Sequence, residues 1–118
     1  MHEFGYAEAL RDVVERRAAG RPVLRIRVRA GVLARLDQES LEQAFRMVAA
    51  DGVAADARIE LVTVPLDVRC RACQVRAQSQ DPLPLCLSCG SADVEVSGGD
   101  VFALESIELQ PTGAAPCV

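Results

Sequence analysis

Four cysteines in two pairs are the residues best placed to do chemistry in this chain: Cys70-Arg71-Ala72-Cys73, twelve residues, then Cys86-Leu87-Ser88-Cys89-Gly90. Each Cys-x-x-Cys turn presents two sulfurs to one point, and the intervening loop lets the turns meet, so four thiolates can close a tetrahedron on one Zn²⁺. Such a site has no open position and is structural, not catalytic. Two disulfides, a redox dithiol, or an iron centre of the rubredoxin kind use related spacings. Gly90 suits a tight knuckle in which backbone N–H groups approach the sulfurs.

A second grouping lies at the start. The sole histidine is His2, between Met1 and Glu3. The Met1 α-amine, the His2 amide nitrogen and the His2 imidazole can close successive chelate rings in one plane, and Glu3 adds a backbone nitrogen or a carboxylate. Planar nitrogen and oxygen donors suit Ni²⁺ or Cu²⁺. Amine and imidazole must be neutral to bind, with reference pKa values of about 8 and about 6.5, so binding weakens as pH falls.

The rest of the chain must position these groups. Its 118 residues suffice for one modest core and one metal-stapled appendage. There is no signal peptide and no apolar run of membrane-spanning length, and paired cysteines in that context indicate the cytoplasm, metal ligation and no membrane partner. The formal charge is −4, no Trp is present, and all thirteen basic residues are arginine. That balance disfavours nucleic acid as a partner. Cys117 reads as an incidental thiol in a flexible tail of residues 111–118.

In chain order, residues 4–19 read as a helix with Tyr6, Leu10, Val13 and Val14 on its apolar stripe and Gly20 as the stop. Val23 to Ala30 alternates as a strand, with Leu24, Ile26, Val28 and Ala30 on one face and Arg25, Arg27 and Arg29 on the other. The arginine row suits a solvated face or an acidic partner. Asp37 offers an N-cap to a second helix carrying Leu41, Ala44, Phe45 and Val48 inward. Ile59 to Leu66 is a second strand, Val94-Glu95-Val96 a piece able to close the cysteine module, and Val101 to Leu109 a third strand whose apolar face Glu105 interrupts. The strands bracketing the module are expected to pair with each other. The fold class is α+β: a small three-stranded sheet with two helices, plus an inserted zinc-ribbon-like module. Residues 1–68 and 99–110 form the core and 69–98 the module.

Met1-His2-Glu3, the two cysteine pairs and the closing Ser106-Ile107-Glu108 together resemble the HypA/HybF hydrogenase nickel-incorporation proteins over nearly the whole length. The resemblance implies a nickel metallochaperone that is not an enzyme. It binds Ni²⁺ through Met1, His2 and Glu3 and delivers it to the large subunit of a [NiFe]-hydrogenase with a GTPase partner of the HypB type. Cys70, Cys73, Cys86 and Cys89 are then the structural zinc ligands, and a homodimer is compatible with this picture. Phe4-Gly5-Tyr6 departs from the family's usual run after Met-His-Glu, and Gly5 should loosen the first helical turn. The competing function is a zinc-ribbon nucleic-acid-binding or regulatory module using Arg25, Arg27 and Arg29. A rubredoxin-like electron carrier is a third.

Overall fold

The computed structural model describes residues 2–111, and for His2 the backbone alone. Met1, the His2 side chain and the tail from Thr112 to Val118, Cys117 included, lie outside the described residues. The elements follow as α1 (His2–Ala18), β1 (Val23–Gly31), a 3-10 turn (Val32–Ala34), α2 (Gln38–Val48), β2 (Arg58–Val64), β3 (Leu66–Cys70), β4 (Arg76–Ser79), β5 (Val94–Ser97) and β6 (Phe102–Leu109). They make two three-stranded sheets, ordered β2-β1-β6 and β4-β3-β5.

Among the described residues, one compact unit comprises 2–28, Asp37–Leu61 and 104–111. Its helices pack on each other, α1 burying Ala7, Leu10, Val14 and Ala18, and α2 burying Leu41, Ala44 and Phe45. The buried stripe of α1 thus runs through two alanines, with Tyr6 and Val13 only half-buried at its flanks. The helix begins at His2, not at residue 4, and continues through Gly5. Burial of Ala7 and Leu10 and the favourable placement of Glu3 in the first turn outweigh the glycine's propensity cost of about 1 kcal/mol. The start of α2 is as the sequence indicates: the Asp37 carboxylate accepts from the Ser40 N–H at 3.2 Å. Hydrogen bonds from Ser40, side chain and backbone, hold that carboxyl below its ordinary range.

The strands bracketing the cysteines do not pair with each other: β1 lies between β2 and β6. Periodicity identifies strands but not their neighbours, and the long alternating β1 can accept a partner on both edges. Val23 is buried at its start and Leu24 is 44% exposed, so the inward alternation is Val23, then Ile26, Val28 and Ala30. On the outward face Arg27 pairs with Glu60 of β2 at 3.2 Å and with Glu105 of β6, and Arg25 lies 3.9 Å from Glu108. Glu105 is therefore the counter-ion of β1, not an interruption of an apolar face. Along β6, Phe102, Leu104, Ile107 and Leu109 are half-buried while Glu105 and Ser106 are both exposed, so the alternation changes phase between them. Val101 and Ala103 are exposed.

The edge strand β2 is closed by a side chain. Gln38, the first residue of α2, donates to the Ile59 carbonyl and accepts from the Leu61 N–H at 2.9 Å, while Glu42 accepts from the Ile59 N–H at 3.4 Å. The Gln38 amide thus imitates a neighbouring strand and blocks edge pairing. Gln38→Ala should cost about 1 kcal/mol and lower Tm by about 5 °C, with increased self-association by light scattering; an unchanged Tm and a monodisperse variant would show the clamp to be idle.

The other unit comprises Arg29–Leu36 and Val62–Ala103. Pro65 divides what reads as one strand into β2 and β3, so Leu66 opens the second sheet instead of ending the first. In that sheet β3 is central and antiparallel to both neighbours, with Asp67 opposite Gln78 and Ser97, and Arg69 opposite Arg76 and Glu95. Leu66 and Val68 are buried. Gly99 lets Leu66 and Leu33 close in, since a Cβ there would stand 2.1 Å from Leu66 and 2.8 Å from Leu33. Its carbonyl accepts from Leu33 N–H at 2.8 Å, just where Gly31 passes.

Candidate metal centre

Cys70 ends β3, so the strand's pairing with β4 and β5 sets the first thiol in place. The turn that follows is closed by Gln74 N–H donating to the Cys70 carbonyl at 3.0 Å, and the second by Gly90 N–H donating to the Cys86 carbonyl at 2.9 Å. Both closing residues are left-handed, Gln74 at φ 66° and Gly90 at φ 76°. Glycine meets that demand without strain, as the sequence indicates for Gly90, whereas Gln74 adopts it as an ordinary L-residue. Its side chain compensates by donating to the Arg71 carbonyl at 3.1 Å.

The two turns bring all four sulfurs within 4.8 Å of one another. Cys70 and Cys89 Sγ are 3.7 Å apart, as are Cys73 and Cys86 Sγ. Four sulfurs at about 2.3 Å from a central Zn²⁺ stand about 3.8 Å from each other in a regular tetrahedron. A disulfide needs about 2.05 Å, and all four cysteines are free thiols. Cys70 and Cys86 are buried, Cys73 and Cys89 exposed.

Backbone donors surround the sulfurs. Cys73 N–H reaches Cys70 Sγ, and the N–H groups of Ser88 and Cys89 reach Cys86 Sγ, each at 3.4 Å. The Cys89 and Ser88 donors draw the Cys86 thiol down to about 6. At Cys73 the Val75 N–H pulls the same way, but desolvation and the adjacent Cys70, Cys86 and Cys89 sulfurs override it and push the thiol up to about 12. Cys89 is likewise raised: the Ser91 N–H opposes, and the Cys86 and Cys70 sulfurs prevail. One thiolate forms readily and repels the next, which is the electrostatic situation a dication relieves. The donor set, its spacing and its backbone hydrogen bonds all fit a four-coordinate, closed metal ion.

The loop between Cys73 and Cys86 carries structure of its own. It contains β4, and Ser79 and Asp81 make turn hydrogen bonds, Asp81 N–H to Ser79 Oγ at 3.0 Å and Leu83 N–H to Asp81 Oδ1 at 2.9 Å. Arg-Ala-Gln-Ser offers weak strand propensity, so only pairing with β3 makes it a strand. Of the amino-terminal group, the backbones of His2 and Glu3 form the first residues of α1. No helix among the described residues is long and apolar enough to cross a membrane.

The comparisons agree with this architecture. Residues 1–109 match the family described as hydrogenase/urease nickel incorporation, metallochaperone, HypA. The hydrogenase maturation factor HypA of Rhodopseudomonas palustris strain BisA53 is 30% identical over 112 residues, covering 92% of this chain and 99% of that protein. The corresponding factor of Nitrosospira multiformis is 31% identical, covering 95% of this chain and 100% of its own. The solution structure of the Ni metallochaperone HypA from Helicobacter pylori shares the fold, with a TM-score of 0.60 at 21% identity over 91% of this chain and 96% of that one. With the family matched across residues 1–109 and relatives aligned along nearly their full length, this chain belongs to the HypA family of nickel-incorporation metallochaperones.

Proposed function

We propose that the protein carries Ni²⁺ on Met1, His2 and Glu3 and delivers it to the large subunit of a [NiFe]-hydrogenase, in concert with a HypB-type GTPase in the cytoplasm. The observation that carries this reading is the family match beginning at residue 1, which takes in Met1-His2-Glu3 together with both cysteine pairs. Nickel is cargo, bound and released without turnover.

The helix supports the nickel ligands in a definite way. The first N–H groups of an α-helix have no intrahelical acceptor, so the amide nitrogens of His2 and Glu3, at the start of α1, are not committed to its hydrogen-bond ladder. The positive end of the helix also favours a deprotonated amide there. Only the first turn need adjust to place these nitrogens in a plane.

Cys70, Cys73, Cys86 and Cys89 would hold Zn²⁺. When bound it supplies folding free energy and neutralises the clustered thiolates. The module contributes few large apolar side chains of its own, Leu66 and Val68 foremost, so it depends on such a clamp. The arginine-faced alternative is disfavoured by the ion pairs of Arg25 and Arg27 with Glu60, Glu105 and Glu108, which neutralise the row a phosphate backbone would need.

The test is a metal inventory of the untagged protein before and after equilibration with Ni²⁺. Zinc bound as isolated and unchanged by the incubation, with nickel newly acquired, is the expected result. Nickel entering only by displacing the thiol-bound metal, or no nickel uptake, would overturn the assignment.

A further inference from the structure

The solvent face of the β4-β3-β5 sheet carries a charge arrangement that the metal sites do not explain. Arg69 of β3 and Arg76 of β4 stand directly opposite each other, both exposed. Like charges in that relation are destabilising, because cross-strand Cβ atoms are only about 5 Å apart. Neither guanidinium has an ion-pair or hydrogen-bond partner among the described residues. Nearby carboxylates are engaged elsewhere: Asp67 accepts from Gln78 at 3.2 Å, and Arg71 takes Asp93 at 2.9 Å and Glu95 at 3.8 Å. The contrast with β1 is direct, since Arg25 and Arg27 face glutamates on both neighbouring strands.

A cleft of about 820 Å³ lies over this face, lined by Asp67, Arg69, Arg76, Gln78 and Glu95 among others. It takes in three consecutive residues of each strand, on the order of 10 Å along the sheet. That length admits a few side chains of an extended peptide and no folded domain.

We propose that this face is a docking surface for an acidic, extended segment of a partner protein, whose carboxylates bind Arg69 and Arg76. Paired guanidiniums present parallel donors that match carboxylates bidentately. A nucleic-acid or polyphosphate backbone fits poorly, because its charges are unbroken and those falling beyond the two arginines meet the Asp67 and Glu95 carboxylates that rim the pair. Isolated carboxylates on a peptide pass between those rims. The surface does not depend on the nickel reading, and its variants should leave nickel binding untouched.

The experiment is an amide NMR titration of the full chain, with its thiol-bound metal, against a blocked heptapeptide of alternating Glu and Thr. Shifts confined to β3, β4 and β5 are expected, with apparent affinity falling about tenfold or more in Arg69→Gln/Arg76→Gln. Arg25→Gln, whose ion pair with Glu108 lies on the other sheet, should bind as the parent does. Shifts mapping to other elements, or a double variant that binds equally well, would overturn the proposal. So would equal binding by the alternating Gln and Thr peptide on the unaltered protein, a control that holds even if the double variant fails to fold. Tighter binding of inorganic polyphosphate or an RNA oligonucleotide at the same amides would overturn the assignment to a protein partner.

Discussion

Serine at any one of Cys70, Cys73, Cys86 or Cys89 is expected to lower metal affinity of the module on the order of 100-fold or more. Loss of a residue that merely supports a ligand costs 10–100-fold, and loss of the ligand itself exceeds that. A serine hydroxyl is neutral near pH 7 and leaves three thiolates to share the cation. The structural consequence should be local. Leu66 and Val68 are the large apolar side chains buried in β3, and β4 and β5 are four residues each, so the β4-β3-β5 sheet should lose its amide dispersion. The helices have their own core in Leu10, Val14, Leu41 and Phe45 and should keep their ellipticity. Retention of the metal and of the sheet's amide spectrum in all four variants would show that the thiols are not its ligands. Acid should act in the same direction. Ligation displaces protons from the thiols, so affinity falls as pH falls. Chelator-accessible metal measured across pH 5–8 checks that sign.

His2→Ala should weaken Ni²⁺ binding by on the order of 100-fold or more while leaving the thiol-bound metal in place. In the proposed site the imidazole would close one of the fused chelate rings, and no other histidine exists in the chain to replace it. Extending the chain by one residue ahead of Met1 should have a comparable effect, because it would convert the proposed amine ligand into an amide without touching His2. In the unaltered protein nickel affinity should fall as pH drops through about 8 and then about 6.5, where amine and imidazole take up protons. Calorimetric titration of the three proteins decides this: unchanged affinity in His2→Ala would remove the amino terminus from the site. Loss of nickel together with loss of the thiol-bound metal would show instead that one site had been counted twice.

The legibility of this protein divides along a physical line. The metal-ligand candidates were readable because ligation is a matter of donor type and short spacing: two Cys-x-x-Cys turns predict four convergent sulfurs whatever surrounds them, and the sulfurs do converge. Caps and helices were readable for the same local reason, as the Asp37 cap shows. Arg76 to Ser79 was not, because its residues have little strand propensity and become a strand only by pairing with Val68 and its neighbours.

Likewise, no periodicity could say that β1 would sit between β2 and β6, or that Glu105 would serve Arg27. Those are long-range choices made by burial and charge pairing between segments distant in sequence. The sequence by itself determined which thiols converge, and where the helices and most strands lie, since these depend on residues a few positions apart. Tertiary structure alone decided which strands are neighbours, which arginines are neutralised and which, at Arg69 and Arg76, are left facing each other, because cross-strand register is set only when the sheet closes.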